Sequence, residues 1–230
     1  VLDKWQRELA WNTVYLENHD QPRSVSRFGS REYHGESAKL LGTLLLTLKG
    51  TPFIFQGEEI GMTNFDFTSM DEIQDVESKN IYAILSKLNI PRRIKWNMIK
   101  KTSRDNARTP MQWNGRDGAG FTTGIPWLGI NGNKDEVNVE KEEGDKDSIL
   151  SYYRALISFR KEHDDLVYGD YELIRNDKWV TEYRRGALYI VLNHSNKEIR
   201  REREGEILLS SEKNRKNGFL KPWEALMERR

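Results

Sequence analysis

The chain has 230 residues, of which 37% are hydrophobic, enough to bury the core of one large domain or of a medium domain joined to a small one. Its 37 lysine and arginine residues nearly cancel its 36 aspartate and glutamate residues, so it lacks the net positive field that binds a polyanion, and we expect no nucleic-acid partner. The absence of cysteine excludes a disulfide scaffold, a thiolate metal site and a cysteine nucleophile, and it favours a reducing, cytoplasmic location.

The N-terminal stretch Val1 to Arg7 has neither an initiator methionine nor a basic segment leading into an apolar one. No apolar run approaches the ~20 residues that are needed to cross a bilayer. We therefore expect a soluble chain with no membrane partner, and one that is a piece of a longer protein.

The first third of the chain alternates helical and strand patterns. Val1 to Ala10 predicts the last turns of an amphipathic helix, and Thr13 to Leu16 predicts a strand that ends in the polar string Glu17 to Asp20. Apolar residues at helical spacing predict a second helix over Gly35 to Leu48, and Thr51 to Gln56 predicts a second, buried strand. This alternation indicates parallel strands joined by right-handed crossovers, so functional groups are expected at the carboxyl ends of the strands.

The middle of the chain predicts a helix over Asp71 to Leu88 and then a long irregular stretch, Pro91 to Lys146, which is rich in Gly, Asn and Asp. A connection of that length is better explained by a functional excursion than by an ordinary loop. A further helix is expected to begin with Asp147 as its N-cap and to run to about Lys161.

After His163 the hydrophobic pattern changes to a period near two. Tyr171 to Ile174, Val180 to Tyr183 and Leu188 to Leu192 each alternate in this way, and turn residues separate them. The sequence therefore predicts a small antiparallel sheet domain at the end of the chain.

The most informative polar string is Asn18 to Arg23, because it places the imidazole of His19 beside the carboxylate of Asp20 at the end of a strand. A carboxylate can accept two sugar hydroxyls at once, and such bonds strengthen when positive charge develops on a sugar ring. The alternative is structural: Asp20 would cap the following turn, and His19 would be an ordinary loop histidine.

Two further strings carry charge. Gln56 to Met62 contains Glu58 and Glu59 at the end of the second strand, where these carboxylates could also simply favour a helix start. Arg104 to Trp113 offers two guanidinium groups and an indole, which suit a carboxylate and the apolar face of a sugar, although a loop salt bridge would explain the arginines equally well.

Together, the three strings resemble the oligo-1,6-glucosidase and related α-glucosidase branch of the α-amylase superfamily, glycoside hydrolase family 13. The resemblance covers nearly the whole chain. Trp11 to Gly29 is similar to the last motif region of that superfamily, Lys49 to Asn64 to its eighth barrel strand, and Ser103 to Thr123 to the long loop after that strand. One string alone is only suggestive, whereas coincidence over all three in the right order is very rare.

The resemblance implies a (β/α)8 TIM barrel, with its catalytic site at the C-terminal face, followed by a small antiparallel β-sandwich. Residues 1–163 would supply the C-terminal part of the barrel: the seventh and eighth strands, the long loop and the last helix. Residues 164–230 would form the β-sandwich. Such a chain needs the N-terminal half of its own barrel as a partner.

The resemblance also implies roles for single residues. Asp20 is similar to the carboxylate that stabilises the transition state, and His19 to the residue that hydrogen-bonds the glucose in the cleaved subsite. Arg108 is similar to an arginine that pairs with a carboxylate at the pocket floor, which would come from the missing half. The residues that resemble the rim of the pocket are Glu59, Arg104 and Gln56.

The implied reaction is hydrolysis, with retention, of terminal α-linked glucose from short oligosaccharides. A retaining glycosidase needs a nucleophile and a general acid about 5–5.5 Å apart. In the family both lie upstream of the part that this chain resembles, and no other Asp or Glu here matches the context of either role. We therefore expect the 230 residues alone to be inactive.

Other functions remain open. A trehalose-6-phosphate hydrolase or a sucrose isomerase would share the same strings. A non-catalytic barrel relative used for protein contact, as in the heavy subunits of some amino-acid transporters, would be expected to lose them. We expect no cofactor and no metal, because the histidines lack metal-ligand spacing. These histidines are His19, His34, His163 and His194.

Overall fold

A computed structural model of the chain describes residues 2–201 and 203–230. Its helices, in chain order, are α1 Leu2–Glu8, α2 Ser24–Phe28, α3 His34–Thr47, α4 Val76–Lys87, α5 Arg92–Thr102, α6 Val139–Gly144, α7 Ile149–Glu162 and α8 Asp164–Tyr168. Its strands are β1 Thr13–Val14, β2 Thr51–Pro52, β3 Tyr171–Asn176, β4 Val180–Arg185, β5 Leu188–Asn193, β6 Ile199–Arg200, β7 Glu206–Ser210, β8 Phe219–Leu220 and β9 Ala225–Arg229. Short 3₁₀ helices lie at Glu58–Ile60, Met70–Glu72, Arg104–Ala107 and Asp117–Gly120.

The described residues form two compact units. The first contains the described parts of 1–16, 29–53 and 151–230, and the second contains 17–28 and 54–150. The helix predicted over Val1 to Ala10 corresponds to α1, although Val1 itself lies outside the described residues. Within the described part of the chain, none of the helices is both long and apolar enough to cross a membrane.

In the first unit, β1 and β2 form the expected parallel pair, with Thr13 opposite Thr51, and α3 connects them. Both strands are shorter than the sequence predicts. The last ladder bond runs from the Phe53 amide to the Val14 carbonyl oxygen at 2.8 Å, after which both chains leave the strand conformation.

The prediction that the second strand is buried is wrong, because none of residues 51–56 is buried. Phe53 and Ile54 are 55% and 38% exposed. The reason is that β2 pairs with a strand on one edge only, among the described residues.

Helix α3 confirms the helix predicted from apolar spacing, and it contributes Leu40, Leu41, Leu45 and Leu46 to the core of the first unit. Its Gly42 packs so closely on the ring of Tyr153 that a Cβ at this position would lie 2.7 Å from the ring. Two buried hydroxyls of the same helix are paired: Thr43 with the Tyr152 hydroxyl at 2.9 Å, and Thr47 with the Tyr183 hydroxyl. The polar groups in this core are therefore satisfied, as burial requires.

The carboxyl end of α3 is held by two buried arginines. Arg160 donates to the carbonyl oxygens of Leu46 at 2.7 Å and Gly50 at 2.8 Å, and Arg185 donates to the carbonyl oxygen of Thr47 at 2.7 Å. The last carbonyls of a helix have no partner within the helix and carry partial negative charge, so cations at this end both satisfy and stabilise them.

The antiparallel sheet predicted at the end of the chain is confirmed. The strands lie in the order β3-β4-β5-β9-β7, and β6 pairs separately with β8. The predicted strands correspond to β3, β4 and β5 and extend one or two residues beyond the predicted limits. Apolar side chains of Val180, Val191, Leu220 and Leu226 pack together as one cluster of this domain.

The last long helix departs from prediction at its start. α7 begins at Ile149, so Ser148 and not Asp147 directly precedes it. Asp147 lies in a turn, where its amide donates to the carboxylate of Asp145 at 2.8 Å, and the helix begins one residue later than its predicted cap implies. The domain boundary between residues 163 and 164 stays a prediction.

The second unit contains α2, α4, α5 and α6, and it has two apolar clusters. One is formed by Ile60, Met62, Met111 and Val137, and the other by Phe67, Ile73 and Ile99. The long stretch Pro91 to Lys146 is therefore partly ordered into helices rather than irregular throughout.

The helix predicted from Asp71 begins later than expected. α4 starts at Val76, because the Asp75 side chain accepts a hydrogen bond from the Ser78 amide at 3.2 Å and so caps the helix. A 3₁₀ helix over Met70–Glu72 occupies the predicted first turn.

Replacing Gly50 with alanine is expected to lower the free energy of unfolding by about 1–3 kcal/mol. Gly50 has a φ of +125°, and a Cβ would lie 2.3 Å from the Asn12 carbonyl oxygen, which is backbone and cannot move aside. Gly35→Ala is the matched control, since its Cβ would meet nothing within 4 Å. Urea unfolding of both variants checks the prediction, and equal stabilities would contradict it.

Candidate active site

The first polar loop presents Asp20 and His19 to solvent. The Asn18 side-chain oxygen accepts the Asp20 amide at 2.8 Å, and this bond closes a turn that fixes the backbone at the carboxylate. His19 Nε2 lies 3.2 Å from Asp20 Oδ2, and the two side chains are 72% and 44% exposed. The loop therefore holds an imidazole and a carboxylate side by side at the surface of the second unit.

Two arginines from a distant segment meet the same carboxylate. Arg108 Nη2 donates to Asp20 Oδ1 at 2.9 Å, and Arg108 Nε donates to the His19 carbonyl oxygen at 3.0 Å. Arg104 Nη1 lies 3.6 Å from the same Oδ1. Because these groups are partly exposed, the pairs contribute little to stability. What they provide is orientation, since both guanidinium groups contact the same oxygen, Asp20 Oδ1, through charged contacts.

Arg104 is in turn anchored by Asp75, an acidic residue with no role assigned from the sequence. Its Nε and Nη2 donate to Asp75 Oδ1 at 2.9 Å and 2.5 Å, and Glu77 lies 3.3 Å away. Burial alone would raise the pKa of Asp75, but the hydrogen bonds from Arg104 and Ser78 outweigh it and bring the pKa to about 2. The only signal in the sequence was the capping preference of an Asp before a helix.

Asp105 contacts Arg108 and the residues that precede α4. It is fully buried, and its Oδ2 accepts the amides of Gln74 at 2.6 Å and Asp75 at 2.8 Å. Its Oδ1 lies 3.8 Å from Arg108 Nη1. The start of α4 and the arginine segment are thereby joined through one side chain.

The rim residues of the second loop are not gathered at Asp20. Glu59 Oε2 accepts the Gly57 amide at 2.8 Å, and burial raises the pKa of Glu59. Gln56 has an exposed side chain, and its carbonyl oxygen accepts a bond from Arg23 at 2.7 Å. No hydrogen bond joins either side chain to Asp20 among the described residues. The structure thus brings together His19 and Asp20 with the two arginines, and it leaves Gln56 and Glu59 apart.

Glu58 is a buried carboxyl beneath this loop. Its Oε2 accepts the Phe55 amide at 3.2 Å, while its Oε1 has no hydrogen-bond partner among the described residues. Burial, and then the negative charge of Glu17, raise the pKa of Glu58 from 4.5 to about 8. Glu58 is therefore neutral at pH 7.

Comparison with known proteins assigns the family. Residues 1–169 match the catalytic domain of α-amylase. The chain belongs to the α-amylase family. An oligo-1,6-glucosidase from Parageobacillus thermoglucosidasius is 45% identical over 208 residues, which cover 86% of this chain and 37% of that relative. The chain therefore spans little more than a third of the length of that protein.

Solved structures of α-amylase family members have the same fold. A trehalose-6-phosphate hydrolase from Bacillus licheniformis superposes with a TM-score of 0.92 at 38% identity, covering 98% of this chain and 45% of that one. An isomaltulose synthase from Klebsiella sp. LX3 superposes with a TM-score of 0.93 at 36% identity, covering 99% and 44%. The predicted fold class, the C-terminal part of a TIM barrel followed by an antiparallel sheet domain, is confirmed.

The roles that the α-amylase resemblance implies for single residues stay predictions. Arg108 is expected to pair with a carboxylate from another part of the barrel, and here its guanidinium group contacts Asp20 and Asp105. Over residues 2–201 and 203–230, no group of three His, Asp or Glu side chains is arranged to hold a metal ion.

Substituting Glu58 with glutamine is expected to stabilise the protein increasingly as the pH rises. The carboxyl has a pKa of about 8 when folded and an ordinary value of 4.5, so between these values only the folded state holds the proton. The free energy of unfolding then falls with rising pH by at most about 1.4 kcal/mol per pH unit, and this loss is absent in the variant.

Urea unfolding at pH 5 and pH 8.5 measures this effect. Glu136→Gln, which alters an exposed glutamate of the same unit, is the matched control. A stability difference between Glu58→Gln and the wild type that is the same at both pH values would show that Glu58 is not a buried acid.

Proposed function

We propose that the protein hydrolyses terminal α-linked glucose from short oligosaccharides with retention, as an α-glucosidase of the oligo-1,6-glucosidase type. The observation that carries this proposal is the exposed Asp20 carboxylate, flanked by His19 Nε2 at 3.2 Å and Arg108 Nη2 at 2.9 Å. Its place after β1, at the carboxyl end of a parallel strand, is where barrel enzymes carry their chemistry.

The chemistry assigned to Asp20 is charge stabilisation. In glycoside hydrolysis the sugar ring gains positive charge in the transition state, and a carboxylate that accepts ring hydroxyls binds that state more strongly than the ground state. Arg108 and Arg104 both contact Asp20 Oδ1, so the carboxylate is already oriented when the charge develops. His19 can donate to a further hydroxyl, because its side chain is largely exposed.

The nucleophile and the general acid are proposed to lie outside these residues. Within the second unit, the carboxylates near Asp20 already have other partners: Asp75 holds Arg104, and Asp105 accepts two amides. We therefore propose that the N-terminal half of the barrel supplies both groups, and that the 230 residues alone do not cleave a glucoside. A cytoplasmic location, inferred from the absence of cysteine, also stays a prediction.

Hydrolysis of trehalose 6-phosphate or isomerisation of sucrose is the second candidate. The similarity to a trehalose-6-phosphate hydrolase and an isomaltulose synthase, both with TM-scores above 0.9, supports it. Identity of 45% to an oligo-1,6-glucosidase favours the first candidate. A non-catalytic relative used for protein contact is disfavoured, because His19, Asp20, Arg108 and Glu59 are all retained.

Asp20→Asn is expected to lower kcat of the full-length protein by about 10²–10³-fold or more while leaving the melting temperature unchanged. Loss of one preorganised transition-state contact costs this much in other enzymes, and the exposed side chain contributes little to folding. Rates on p-nitrophenyl α-glucoside and on isomaltose give the measurement. The control is Asp135→Asn, whose side chain is 73% exposed, and its rate should stay within about twofold of the wild type.

A near-normal rate for Asp20→Asn would remove Asp20 from the mechanism. Parallel assays on trehalose 6-phosphate and sucrose distinguish the two candidates, since the preferred substrate has the highest kcat/KM. Assay of residues 1–230 alone tests the proposal that the nucleophile and the general acid lie outside them. Cleavage by that segment would place both groups within it.

A further inference from the structure

Arg23 lies at the centre of the second unit and is fully buried. Its Nη1 donates to Glu17 Oε2 at 3.1 Å and to the Gln56 carbonyl oxygen at 2.7 Å. Its Nη2 donates to the Ala107 carbonyl oxygen at 3.3 Å and approaches Met62 Sδ at 3.8 Å. One side chain thus touches three segments that are far apart in sequence.

Two of these segments carry the candidate site, and the third contains Gln56 and Glu59, which lie apart from Asp20. Glu17 directly precedes the loop of His19 and Asp20, Gln56 follows β2, and Ala107 immediately precedes Arg108. The 2.9 Å contact between Arg108 and Asp20 therefore joins two segments that Arg23 already links through the Glu17 carboxylate and the Ala107 carbonyl oxygen.

The anion that Arg23 meets is itself fully engaged. Glu17 Oε1 accepts the Ser24 amide at 2.6 Å and the Ser24 hydroxyl at 2.7 Å, and Glu17 is buried. The Arg23 amide donates to Asn64 Oδ1 at 2.9 Å, which adds a fourth point of attachment. Neither the carboxylate nor the guanidinium group can move without breaking several bonds at once.

The planar fork of arginine is needed for this arrangement. A Cβ on Gly57 would lie 3.1 Å from Arg23 Nη1, so the backbone closes tightly around the fork. Lysine keeps the charge but concentrates its donors on one atom, so it can hold Glu17 but cannot reach Gln56 and Ala107 together. Arginine and lysine at position 23 should therefore differ in the contacts that they make, and not in their charge.

We propose that Arg23 is a positioning residue that sets the distance between Asp20 and the guanidinium group of Arg108 by bonding at once to the two segments that carry these residues and to the segment after β2. The consequence for catalysis rests on the proposed function. The structural claim that the Arg23 side chain joins three segments does not depend on that function.

The activity test compares Arg23→Lys with Arg185→Lys in the full-length protein. Arg185 is a matched control, because it is equally buried and also donates to carbonyl groups, but it belongs to the first unit. Arg23→Lys should lower kcat by about 10–100-fold with a smaller change in KM, since a displacement of ~1 Å at a reacting group can cost ~10²-fold. Arg185→Lys should lower the melting temperature similarly and leave kcat within about twofold.

Two activity results would overturn the proposal. One is a wild-type kcat for Arg23→Lys, and the other is an equal loss of kcat in both variants at equal loss of melting temperature. If Arg23→Lys does not fold, Glu17→Gln replaces it, because the amide oxygen still accepts from Ser24 while the amide nitrogen takes the place of the oxygen that accepted from Arg23. That variant should lower kcat by a smaller factor than the lysine variant, and no loss would count against the proposal.

Hydrogen exchange measured by mass spectrometry tests the coupling without any substrate. In Arg23→Lys, or in Glu17→Gln, amides of residues 17–28, 54–64 and 103–108 should exchange faster together, while those of α3 and β3 to β5 stay unchanged. Faster exchange confined to residues 17–28 would overturn the proposal. Absence of glycosidase activity in the wild-type protein would contradict only the proposed function. The exchange result would still decide the role of Arg23.

Discussion

Each of the two compact units is held together internally by buried arginines that donate to main-chain carbonyl groups. A guanidinium group carries five donors in one plane and stays charged when desolvated, so it is stable in a core only where several acceptors surround it. Arg23 meets this condition in the second unit, and Arg160 and Arg185 meet it in the first. In each case the acceptors belong to segments distant in sequence, so one side chain closes several long loops.

The sequence predicted well those features that depend on local periodicity. Apolar spacing located α3, and alternation with a period of two located β3 to β5, because each of these elements buries one regular face. The polar loops after β1 and β2 were predicted for a topological reason, since parallel strands place their carboxyl ends on one side. These regularities were sufficient for the fold class and for the pairing of His19 with Asp20.

Features that depend on long-range contacts were not predictable in this way. Arg23 was part of a noted string but had no assigned role, since nothing local indicates that it bonds to Gln56 and Ala107. Asp75 was missed for the same reason, because its role is to accept hydrogen bonds from Arg104, which lies 29 positions away in the sequence. The exposure of Phe53 likewise follows from which strands lie beside β2, and a pattern along one strand does not contain that information.

The carboxyl groups around the candidate site differ in state because they differ in surroundings. Glu58 keeps its proton at neutral pH through burial, whereas Asp75 gives up its proton through the bonds from Arg104. Asp20 remains accessible, with two arginines on one oxygen and a histidine near the other. One unit thereby contains a buried protonated carboxyl group, a buried ion-paired carboxylate and an accessible surface carboxylate.

The link between α3 and the antiparallel sheet has a consequence for limited proteolysis. The Tyr183 hydroxyl and the Arg185 guanidinium group both bond to Thr47, a residue well over a hundred positions away in the chain. A protease that cuts the connection between α8 and β3 would therefore leave a buried cation still bound to the helix. The cleaved protein would run as two bands under denaturing conditions but would elute as one species in native chromatography.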